Sequence, residues 1–105
     1  MSAGALRALG LCKRAGALIS GTPMICDALR DGKRKPLMVL MASDVSEGTK
    51  KKLTDKCAFY ETRLVTLAEG GEDLAKAVGK TGFLASVAVT DVNLAGLVKK
   101  SLGEE

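Results

Sequence analysis

The 105 residues contain no histidine and no tryptophan, and only 3% are aromatic: Phe59, Tyr60 and Phe83. Without histidine, the commonest general base near neutral pH is missing, as is the usual companion of cysteine in a zinc site. The three cysteines, Cys12, Cys26 and Cys57, lack metal-ligand spacing, and their odd number argues against a disulfide framework. They read as small buried hydrophobes. No apolar run approaches the roughly 20 residues that a membrane span needs. The chain opens on small residues, meets Arg7 early and is helically patterned there, which disfavours a signal peptide. Gly16 to Thr22 has two glycines enclosing four residues before a hydroxyl, as in a phosphate loop. It lacks the lysine, however, and follows a helix where a strand is required. The carboxylate pairs Asp44/Glu47 and Glu72/Asp73 lie near predicted helix starts, where offsetting the helix dipole accounts for them. These absences point to a noncatalytic, cytoplasmic protein with no metal, no cofactor and no membrane partner.

What is present suffices for one domain. The apolar fraction is 47%, so the core is expected to consist of Ala, Val, Leu, Ile and Met. Net charge is +4, unevenly spread: residues 1–56 hold 11 Lys/Arg against 5 Asp/Glu, and residues 57–105 hold 5 against 7. A basic half points toward an anionic partner.

Along the chain, helical and strand-like patterns alternate. A first helix is predicted over 3–15, with Leu6, Leu9 and Cys12 on one face, followed by a short strand over 18–20. Ser20 or Thr22 is expected to cap a second helix with Pro23 in its first turn, ended by Asp31-Gly32. Leu37 to Ala42 reads as a strand buried on both faces. A third helix starts between Ser43 and Ser46 and reaches Cys57, although Gly48 weakens it by about 1 kcal/mol relative to Ala. Strands over 62–67 and 84–89 flank a short helix over 74–78. A last helix, capped by Thr90 or Asp91, carries Leu94, Leu97, Val98 and Leu102. This order predicts an α/β protein, a three-layer α/β/α sandwich with a four-stranded mixed sheet.

Four features are expected to converge on one edge of that sheet and hold folded RNA. The turn Ser20-Gly21-Thr22-Pro23 opens a helix whose first N–H groups favour phosphate, with Met24 and Asp27 following on the same helix. Lys33, Arg34 and Lys35 are three consecutive cations at that helix's far end. Ser43 and Asp44 stand just beyond a buried strand, where hydroxyl and carboxylate meet base edges or 2′-OH groups. The loop Gly79 to Leu84, with Thr81, Gly82, Phe83 and Leu84 at its tip, offers apolar groups to an unpaired base.

The stretches Leu9 to Gly16, Ile19 to Thr22, Ala28 to Lys33, Val39 to Asp44, Ser46 to Leu53, Leu74 to Gly79 and Ala88 to Asp91, in this order and spacing, resemble the kink-turn-binding ribosomal-protein family (the L-seven-Ae type, with Gadd-forty-five relatives). The likeness is to its small bacterial ribosome-associated members. It implies an α/β/α sandwich that recognises RNA kink-turns without cofactor or catalysis, with Gly82, Phe83 and Leu84 matching the apolar loop that covers a flipped-out base. Gly21 and Thr22 match the family's helix opening. Pro23 and Met24 stand where that family carries Asn and Glu, and Asp27 where it carries Lys. Lost base-edge contacts are worth about 1–3 kcal/mol each, so these departures weigh against kink-turn specificity, while a basic patch grips any phosphate backbone. The RNA reading allows a protein partner in a ribonucleoprotein, and the same departures leave open a second expectation: the scaffold repurposed as a protein–protein module without kink-turn specificity, a docking surface or part of a bacterial microcompartment or regulatory complex. The two expectations differ in their dependence on salt.

Overall fold

The computed structural model describes residues 2–32 and 34–103. Helix and strand alternate as α1 (Ser2–Arg14), β1 (Leu18–Ser20), α2 (Thr22–Asp31), β2 (Met38–Met41), α3 (Glu47–Phe59), β3 (Arg63–Thr66), α4 (Gly71–Ala77), β4 (Ser86–Val89) and α5 (Val92–Ser101). The strands form one sheet in the order β1-β4-β2-β3. β4 runs antiparallel to both β1 and β2, whereas β2 and β3 are parallel, so the sheet is mixed as expected.

The two central strands are buried along their whole length, which is why they read as unbroken apolar runs. The two-residue alternation of a strand then divides the core. Met38, Leu40, Val87 and Val89 face α1, α4 and α5, where Leu9, Leu74 and Val98 meet them. Val39, Met41 and Ala88 face α2 and α3, packing on Ile25, Leu29 and Leu53. The result is the three-layer sandwich.

Several boundaries shift by one to three residues from expectation, and three starts have a physical cause or consequence. α2 begins behind Gly21, at φ 96°, with no side-chain cap, because the capping position falls on a glycine, while the Thr22 hydroxyl, one residue inside the helix, is engaged with Ser86. α4 starts at Gly71, three residues before the predicted Leu74, for a reason given below. β4 starts at Ser86, leaving Leu84 and Ala85 outside the strand. Asp91 caps α5 as predicted, accepting from the N–H groups of Asn93 and Leu94. Among the described residues, no helix is long and apolar enough to cross a membrane.

Cys12 and Cys57 are buried, and Cys26 is half-buried. Burial, reinforced by nearby Cys26, pushes the Cys57 thiol from its ordinary 9.0 up to about 11. Between those values the unfolded chain loses a proton that the folded chain keeps, so stability falls as pH rises through this window. Urea unfolding of wild type and Cys57→Ala, followed from pH 9 to about 11, is expected to show a smaller alkaline loss in the variant.

Candidate nucleic-acid interface

The antiparallel run of β4 places its first residues beside the last residues of β1 and β2, pairing Val87 with Ser20 and Ser86 with Met41. Three of the four sequence features therefore emerge at one end of the sheet: the turn at Gly21, Thr22 and Pro23; Ser43 with Asp44; and the loop carrying Thr81, Gly82 and Phe83. Ser86 joins the first to the third. Its carbonyl accepts from the Gly21 N–H at 2.9 Å, and its hydroxyl lies 2.7 Å from that of Thr22. The Gly21 N–H and the Thr22 hydroxyl are thus already partnered, a correction to the expectation that they are free for RNA. The first-turn N–H groups of Thr22 and Met24 are the ones that α2 leaves uncapped, since Pro23 has none.

Asp44 is a structural residue. Its carboxylate accepts the Gly71 N–H at 2.8 Å and so caps α4 from 27 positions away, which is why α4 begins earlier than its own sequence suggests. Ser43 donates its backbone N–H to the Glu69 carbonyl at 2.8 Å. A Cβ on Gly70 would lie 2.7 Å from the Asp44 carboxylate, and one on Gly71 would collide with the Phe83 ring. Phe83 thus rests on a bare backbone and remains 53% exposed. Its neighbour Leu84 turns inward, 9% exposed, with its N–H donated to the Gly71 carbonyl. The expectation that Leu84 packs on a base is corrected, because the bond to Gly71 points that side chain into the core formed by α1, α4 and α5.

The basic turn lies elsewhere. It precedes β2, whose start adjoins the end of β4, as the Leu37 N–H donating to the Val89 carbonyl shows. One shared edge for all four features is therefore corrected: Arg34 and Lys35 stand at the opposite end of the sheet, and Lys33 lies outside the described residues. A groove of about 450 Å³ connects the two ends along edge strand β1, with Ser20, Met24 and Lys80 among its walls and Arg34 and Lys13 as well. Arg34 also donates to the Gly16 carbonyl. Asp27 and Asp31 enter the groove, but both pair with Arg30, at 3.2 and 3.4 Å. Lys13 and Lys80 were not singled out from the sequence. Lys13 reads there as an ordinary polar helix position, and Lys80 as the flank of a loop chosen for its tip. Ser86, fully buried, had one signal: a lone hydroxyl inside an apolar run.

The family model described as the ribosomal protein L7Ae/L30e/S12e/Gadd45 family matches residues 4–98. The RNA-binding protein YlxQ of Bacillus subtilis (strain 168) is 36% identical over 87 residues, covering 83% of this chain and 83% of that protein. The RNA-binding protein YlxQ of Enterococcus faecium is 38% identical over 76 residues, covering 72% and 71%. Among solved structures, a protein of unknown function from Bacillus halodurans C superposes with a TM-score of 0.84 at 29% identity, over 95% of this chain and 97% of that one. The Giardia lamblia 15.5kD RNA binding protein superposes at 0.78 with 16% identity, over 97% and 84%, a likeness of fold.

Two substitutions probe the glycine pair. Asp44→Ala is expected to cost about 1 kcal/mol in urea unfolding through loss of the α4 cap. Gly71→Ala should drive the Phe83 ring off its seat, seen by NMR as loss of contacts between that ring and residue 71. An unmoved ring would mean that Phe83 is held some other way.

Proposed function

The chain belongs to the ribosomal protein L7Ae/L30e/S12e/Gadd45 family, and from that membership we propose that it binds structured RNA, ribosomal or kink-turn-like, as a noncatalytic part of a cytoplasmic ribonucleoprotein. The observation that carries the proposal is the juxtaposition, through Ser86, of the uncapped start of α2 with the loop that presents Phe83. Helix N–H groups favour a phosphate, and an exposed ring three residues from the same serine offers a face to an unstacked base. The names of the two YlxQ relatives support the choice of RNA.

Lys80, Lys13 and Arg34 would follow the backbone along the β1 groove, and Lys35 would add a cation at its far end. Pro23 and Met24 have no group to pair with the edges of sheared bases, and Asp27 is held by Arg30. Grip would therefore come from backbone and shape. Ser43 and Asp44 hold the Phe83 platform in place and act on RNA through it. A second reading is favoured by Met24, 60% exposed at the helix start: an apolar contact with a protein partner.

Fluorescence anisotropy with a kink-turn hairpin and a straight duplex of equal length tests the proposal. Phe83→Ala is expected to weaken hairpin binding by about 1–3 kcal/mol. Lys35→Ala with Lys80→Ala should flatten the salt slope by about two while leaving the fold intact. Pro23→Asn/Met24→Glu/Asp27→Lys should sharpen the preference for the hairpin. Absence of binding to either RNA would overturn the proposal, and salt-independent capture of a protein would favour the second reading.

A further inference from the structure

The last turn of α1 is a ridge between two grooves. Lys13 faces the β1 groove, while the next residue, Arg14, lines another of about 430 Å³ between α1 and α4. That second groove is narrow at its floor because α1 and α4 touch backbone to backbone: a Cβ on Gly10 would lie 3.0 Å from the Ala77 carbonyl oxygen. Leu6 lies beside that floor. Its walls carry Arg7 and Arg14 from α1 and Lys76 from α4, with Asp73 as the single acid. Arg7 and Arg14 are seven residues apart, two helical turns or roughly 10.5 Å along the axis. All three cations are exposed, and none takes part in an ion pair among the described residues. Among the described residues, no aromatic ring and no side-chain amide lines the groove.

We infer that this α1/α4 groove is a second, sequence-independent RNA contact, which holds the phosphate backbone of a helical arm leaving the primary site. The inference rests on RNA binding as proposed above and adds a surface to it. Charge selects the ligand, since three unpaired cations around one acid favour a polyanion. Continuity selects the same RNA molecule. Lys80 closes the β1 groove three residues beyond Ala77, and Lys13 and Arg14 are neighbours across the ridge, so a backbone following the first groove meets the second without a break. Cations spread along both walls, two helical turns apart on α1, match the spacing of a phosphate backbone more than a single base.

The test compares wild type with Arg7→Ala/Arg14→Ala/Lys76→Ala on two RNAs: the kink-turn hairpin, and the same hairpin with one arm extended by a helical turn. Affinities are measured by anisotropy over a range of salt, for each of the two arms in turn. For wild type, extending one of the arms is expected to steepen the salt slope by about two to three, one phosphate per cation. The triple variant should bind both RNAs with the slope that wild type shows on the short one. Arg7→Lys/Arg14→Lys, which keeps the charge, should retain the steep slope and so separates lost charge from altered packing. Circular dichroism is used to check that each variant is folded. If wild type binds the short hairpin but its slope is unchanged by either extension, the second contact is wrong and the primary site stands. If the triple variant loses the short hairpin as well, the groove is no separate contact. If wild type binds neither RNA, both readings fall.

Discussion

One carboxylate holds the end of the molecule that carries Gly21, Asp44 and Phe83 together. Asp44, at the close of β2, accepts the Gly71 N–H and so fixes where α4 begins. Around that bond the backbone is drawn in from three sides. Ser43 donates to Glu69, Leu84 donates to Gly71, and the Phe83 ring lies where any side chain on Gly71 would stand. Two adjacent glycines are needed because each makes room for something different, a carboxylate over Gly70 and a ring over Gly71. The loop before β4 carries glycine at positive φ, yet its tip is held by the backbone bond from Leu84 to Gly71 and by the seat of the Phe83 ring on Gly71. A ring held in this way would lose little further freedom on meeting a base in the proposed complex, and such preorganisation favours binding.

Much of the architecture was legible in the sequence because the dominant force, burial of apolar area, writes itself as periodicity. The central strands β2 and β4 were visible as apolar runs, and α2 as a Pro-initiated stripe ending at a glycine. What could not be read was whatever depends on partners distant in the chain. The start of α4 depends on Asp44. The Thr22 hydroxyl, expected as a cap, instead meets Ser86, 64 positions on. Leu84 and Phe83 are indistinguishable as adjacent apolar residues, and only the bond from Leu84 to Gly71 turns one inward and leaves the other out.

The charge pattern shows the same division. Lys33, Arg34 and Lys35 attract notice because they are consecutive, but the broader basic surface is assembled from singletons. Lys13, Arg14, Lys76 and Lys80 come from three elements and become neighbours only because α1 lies against α4 and flanks β1. Such a surface suits a protein whose α2 start carries Pro23 and Met24, since contacts to backbone phosphate need no particular base. The acids nearest the β1 groove are tied to Arg30, which limits their opposition to an approaching polyanion.

The sheet also has two edge strands, and their make-up bears on association between copies. β1 is three residues long, and the Arg34 side chain covers the Gly16 carbonyl just before it. β3 is four residues long and presents Arg63 and Thr66 outward. Short, charged borders are poor templates for strand addition by a neighbouring copy. Copies brought close together are therefore poorly suited to extend one another's sheets into fibres.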